Sequence, residues 1–135
     1  MTQAEITVLG WGVGLLFAYG AVHLGGLETI RLLRPGGIRR TAFGLLFTFW
    51  GLAVLHLLEI ALAAGLLAYL LADPANGTLT EGFGSSAADY VYFAGVSFAT
   101  LGYTQLEAQG AIRLLVMLLS LSGFMLITWL ATFIY

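Results

Sequence analysis

The sequence predicts an all-α membrane protein: three crossing helices and one shorter, re-entrant helix. Three observations predict it. Of 135 residues, 60% are hydrophobic and 9% are charged, whereas a soluble domain carries about 25% charged residues. Residues 6–30, 42–72 and 110–135 are each apolar over more than the roughly 20 residues that cross ~30 Å of hydrocarbon. A fourth apolar stretch, residues 87–99, is too short to cross. The same composition excludes other classes. Without cysteine there is neither a disulfide framework nor a thiolate metal site, and a net charge of -2 offers no footprint for nucleic acid. No nucleophile–base constellation stands out, so an enzyme is not expected. "MTQAEITVLG" lacks the basic region of a cleavable signal peptide.

The first span carries Gly10-x-x-x-Gly14 and Gly20, a small-residue face that lets helices approach closely. Trp11 sits where an interfacial anchor is expected, and His23 is expected to hydrogen-bond across helices. Then comes "RLLRPGGIRR", residues 31–40, a Pro-Gly-Gly breaker holding four of the five basic residues. Arg31, Arg34, Arg39 and Arg40 read as headgroup anchors on the cytoplasmic side. That orients the chain as multi-pass in the cell membrane: N-terminus outside, residues 73–109 outside, C-terminus inside. Residues 1–40 form an extra N-terminal span with a basic linker, and residues 41–135 form the second unit.

The second span, residues 42–72, is too long for a perpendicular crossing and is expected to tilt. Near its middle lie His56 and Glu59, three apart and so on one helix face. A charged carboxylate there costs about 2.5–3.5 kcal/mol on insertion scales, so Glu59 must face protein. The sequence favours a polar tie between this helix and the short one over a pH-sensitive brace. A metal or bis-histidine haem site built from His23, His56 and Glu59 has little support, because two histidines on separate helices carry no ligand motif. The external loop, residues 73–86, is rich in Pro, Gly and Ser and carries Asp73 and Glu81. Its Asn76-Gly77-Thr78 is a glycosylation sequon, a tripeptide that recurs by chance.

Ser86 is the expected N-cap of the short helix, residues 87–99, with Asp89 completing a capping box. The chain must then climb back out through "TLGYTQ". Non-helical backbone at membrane depth survives only when buried in protein or lining a water-filled cavity. A Gly-containing extended segment can aim successive carbonyls one way, and a ring of such segments replaces an ion's hydration shell. One segment makes no cage, so an oligomer is required, most simply a four-fold ring. The C-terminal end of the short helix, partially negative, favours a cation there.

Span, re-entrant helix, Thr-hydrophobic-Gly-aromatic filter and span together resemble the pore domain of potassium channels, over residues 42–135. The resemblance implies an outer helix at 42–72, a pore helix at 87–99, a selectivity filter at 100–104 and an inner helix at 110–135. It implies a homotetramer in the lipid bilayer that passes monovalent cations, with K⁺ held at Thr100, Leu101, Gly102 and Tyr103 and with no cofactor beyond the permeant ions. Tyr92 and Phe93 match that family's aromatic support around the filter, where His56 and Glu59 also lie, and Gly123 matches its inner-helix hinge. Two positions depart: Thr104 replaces the second filter glycine and Gln105 the following aspartate. A β-branched residue resists φ > 0, which leaves the alternative of a non-conducting or weakly selective pore-loop subunit. The N-terminal span lies outside the two-span minimum.

In the third span, Ser122, Gly123 and Thr128 are expected to line a cavity, and Leu126, Leu130 and Phe133 to form an apolar constriction. Trp50 and Trp129 read as packing residues. Arg113 is expected to pair with Glu107 or an acidic loop residue.

Overall fold

The computed structural model describes residues 1–33, 42–80, 83–100 and 107–134. Four helices make up nearly all of it: α1 (Gln3–Leu33), α2 (Ala42–Leu71), α3 (Ala87–Phe98) and α4 (Ile112–Ile134). Three of them, α1, α2 and α4, are long and apolar enough to cross a membrane. A 3₁₀ turn, Pro74–Asn76, follows α2, and two short strands, β1 (Thr78–Leu79) and β2 (Ala108–Gln109), pair antiparallel.

Packing follows from spacing. In α1 the buried residues are Val8, Gly12, Leu15, Tyr19, His23, Leu27 and Ile30, a stripe with steps of three and four. Its upper part lies on α4: a side chain at Gly12 would come within 2.6 Å of Leu118. Its lower part lies on α2, where Gly26 faces Leu55 and Ile30 faces Gly51. So α1 and α4 run parallel, and α2 runs against both. Tyr19, Leu67, Phe93, Leu115 and Leu119 fill the space between the helices. Phe17, Phe49, Trp50 and Leu57 point outward, as a chain solvated by lipid requires.

The small-residue face read from Gly10, Gly14 and Gly20 is not the contact face. Within the chain a side chain at any of the three would meet nothing within 4 Å, and the α1 glycines at helix contacts are Gly12 and Gly26. Periodic glycine marks a smooth face; which face is buried depends on what the partner offers.

Between the end of α2 and the start of α4, the two strands lie where an irregular loop was expected. Gly77 (φ 119°) and Gly110 (φ 80°) bring their backbones together beside the strand pair. A Cβ on Gly77 would fall on the Gln109 carbonyl oxygen, so only glycine fits in both conformation and space. Asn76 is buried and donates its side-chain N–H to the Leu70 carbonyl, 2.9 Å away. It closes the end of α2 and is no site for glycan attachment.

Candidate functional site

The short helix begins as the sequence predicts. The Ser86 hydroxyl accepts from the Asp89 N–H at 3.2 Å, and Asp89 Oδ2 accepts from the Ser86 N–H at 3.0 Å. The Ser86 hydroxyl also donates to Asp89 Oδ2 at 2.6 Å, and these bonds hold the Asp89 carboxyl below its ordinary pKa.

Its other end lies halfway along the long helices. Gly123 in α4 touches the backbone of Phe98, where a Cβ would sit 2.7 Å from the carbonyl carbon and 3.0 Å from Cα. The Phe98 ring meets Tyr19 of α1 edge-on at 5.9 Å between centroids and His56 of α2 at 5.6 Å. Three helices thus clasp one residue at the end of α3. Beyond it, Ala99 caps the helix and Thr100 turns the chain with φ 54°. That conformation at the residue past the cap usually belongs to glycine; in a β-branched residue it stores about 1–3 kcal/mol.

Leu101, Gly102, Tyr103, Thr104 and Gln105 lie outside the described residues, as do Arg34, Arg39, Arg40, Glu81 and the side chains of Leu130 and Phe133. Of the expected filter support, Phe93 is buried in the subunit's own core and Tyr92 is exposed. Gly123 has a packing reason in its contact with Phe98, besides the hinge role the family resemblance implies. Ser122 and Leu126 are largely buried against α1, at the floor of a groove shared with Tyr19 and Gly20, and the Ser122 hydroxyl donates to the Leu118 carbonyl at 2.7 Å. The open face of α4 carries Met117, Leu121, Phe124 and Thr128 instead, spaced by three and four. Nor does Arg113 pair with Glu107 among the described residues, where the ion pairs join His23–Glu59, Arg31–Glu28 and His56–Glu59.

Beside the clasp sits the polar cluster. Glu59 is fully buried; its Oε1 lies 2.9 Å from His23 Nδ1 and its Oε2 2.8 Å from His56 Nδ1. With Glu59 ionised the carboxylate only accepts, and each imidazole then donates through Nδ1. The Tyr19 hydroxyl donates to the Glu59 backbone carbonyl at 2.8 Å. The two imidazole rings stack at 5.7 Å, and Trp129 lies 5.5 Å from His23. The expected tie therefore exists, but its partner is α1 rather than the short helix, which meets the cluster through Phe98. His23 is the interhelical hydrogen-bonder expected of it. Tyr19 was missed, although a Tyr and a His four apart on an apolar helix already signal one polar-tipped face.

No curated protein and no solved structure matches the chain. An ion channel family model matches residues 53–135, from within α2 to the end of α4, and leaves α1 outside. With three membrane-crossing helices and that match over more than half its length, the chain belongs to the ion channel family of potassium-channel-like, two-span pore-loop proteins.

Proposed function

We propose that four copies of this chain form a potassium-selective channel, with α3 as the re-entrant pore helix and residues 100–104 of each copy lining one axis. Thr100 supplies hydroxyl and carbonyl oxygens at the inner end. Leu101, Gly102 and Tyr103 supply carbonyls above it, and Tyr92, exposed on α3, supports the Tyr103 ring. The C-terminal end of α3 faces the entering cation with its partial negative charge. The N-terminus lies outside, on the side of the strand pair.

One observation carries this reading: Phe98 against Gly123. From Ile112 to Gly123 the inner helix descends about 17 Å, and the chain has eight steps from Thr100 to regain β2 at Ala108. Eight extended residues reach that distance; a helix of the same length, about 12 Å, does not. An extended Thr-Leu-Gly-Tyr-Thr at that depth needs partners for its carbonyls, and permeant cations provide them. Thr104 and Gln105 support a second reading, a weakly selective or non-conducting subunit whose outer mouth is altered.

Reversal potentials of the purified protein in planar bilayers separate the two. With potassium on one side and sodium on the other, the potential is expected to follow the potassium gradient and the current to be blocked by barium. A potential at zero supports the weakly selective reading, and electrical silence across voltage and pH the non-conducting one.

A further inference from the structure

We propose that His23, His56 and Glu59 bind a transition-metal ion of the zinc class within each subunit, separate from the potassium positions assigned to residues 100–103. One donor atom from each of the three lies within 4.8 Å of the others. Around a tetrahedral zinc ion with bonds of about 2.0–2.2 Å, ligand atoms stand about 3.3–3.5 Å apart. Side-chain rotations that move atoms by about 1 Å therefore close the set. The nitrogen–oxygen pairs across Glu59, at 2.9 and 2.8 Å, are already tighter than that.

The donor types select the ion. Two imidazoles and a carboxylate are the three-residue set of zinc sites that keep a fourth position for water. Calcium and magnesium, which take six or more oxygens, find a single carboxylate here. Copper(I), which favours sulfur, finds no cysteine in the chain. Glu59 cancels one of the ion's two charges. A hydroxide at the fourth position cancels the other, as a low-dielectric interior demands.

The cluster is also incompletely paired. Nε2 of His23 and Nε2 of His56 are both buried, with no hydrogen-bond partner among the described residues. A finished structural tie would pair them, since a buried unpaired nitrogen costs about 1–3 kcal/mol. For Nδ1 to bind the ion, each imidazole must carry its proton on Nε2 instead, and Glu59 exchanges the two ring N–H donors for the metal. His56 keeps a fifth of its side chain exposed, which gives the cluster one partly open side. Because His23 comes from α1 and the other two from α2, a bound ion cross-links the extra helix to the pore unit.

Cobalt(II) titration of the tag-free full chain in detergent tests this without any need for conduction. We expect a saturable visible absorption band of four-coordinate cobalt, displaced by zinc, with parallel quenching of tryptophan emission. Trp129, 5.5 Å from His23, makes that quenching specific: Trp129→Phe is expected to remove most of it and keep the band. His23→Gln and Glu59→Gln, checked for native helix content by circular dichroism, are expected to weaken cobalt binding by about 100-fold or more. Absence of a saturable band in the wild-type chain up to millimolar cobalt overturns the proposal, whatever the variants do. So does a band of unchanged affinity in both folded variants. A silent pore with the band intact leaves the site standing and counts only against conduction.

Discussion

Two contacts meet at Phe98, and they hold helices together in opposite ways. At Gly123 a side chain has been removed so that the backbone of α4 rests on the backbone of α3. At Glu59 a charged side chain has been added, and α1 and α2 are joined through what it bonds. The first contact fixes a distance: any Cβ pushes the end of α3 outward and Thr100 with it. The second fixes partners: the carboxylate is tolerable in an apolar interior only while both imidazoles face it. The contrast teaches that depth and attachment are set separately. The family match includes Gly123 and Phe98 along with His56 and Glu59, whereas His23 and Tyr19 come from the helix outside it.

Breaking the charged contact is expected to cost most. Glu59→Ala leaves two imidazole N–H groups without an acceptor in an apolar space and should lower stability by about 3–5 kcal/mol, since each buried unpaired donor costs about 1–3 kcal/mol. Glu59→Gln, whose amide can accept from one ring and donate to the other, should lose about 1–2 kcal/mol. Unfolding of both variants in the same detergent ranks them, and equal losses would mean that charge, not hydrogen bonding, joins α1 to α2. Gly123→Ala should cost about 1–3 kcal/mol through overpacking against Phe98. An unchanged midpoint for that variant would show that the contact with Phe98 carries no weight in stability.

Two changes outside both contacts act at the end of α2 and at the start of α3. Asn76→Ala frees the buried Leu70 carbonyl and should cost about 1–2 kcal/mol in thermal unfolding, with no change in ion flux. Ser86→Ala removes the cap of α3 and should cost about 1 kcal/mol at neutral pH. The sign of its pH dependence follows from Asp89, whose folded pKa is depressed chiefly by Ser86. Stability from that cap is fully present above the ordinary carboxylate pKa, about 3.9, and is lost as pH falls through the depressed value. The gap between wild type and Ser86→Ala is therefore expected to hold down to about pH 4 and to close below it. A gap that closes near neutrality would show that another group holds the helix start.

The elements legible in the sequence were those written in local terms. Long apolar runs gave α1, α2 and α4, and Ser86 with Asp89 gave the start of α3 to the residue, because capping is a contact over three positions. The strand pair was not legible: two residues each, joined across 30 positions, leave no alternation to read. Glycine faces misled for a related reason. Gly10 and Gly14 share the spacing that Gly12 and Gly26 lack, yet only the latter pair meets side chains of another helix. Ser122 was assigned to a cavity wall and Leu126 to an apolar constriction from their chemistry, whereas their burial follows their angular position on α4. Glu59 was recognisable as a residue that needed partners; that one of them would be His23 depended on how α1 runs beside α2, which no local pattern encodes.

With α3 ending halfway along α4 against Gly123, copies of this chain are proposed to bring residues 100–104 to a common axis. An image of the detergent-purified particle along its axis tests that most directly. Four subunits of 14.4 kDa around a single central density are the expected result. A monomer, or an assembly whose copies hold their α3 ends apart with no shared centre, would contradict it.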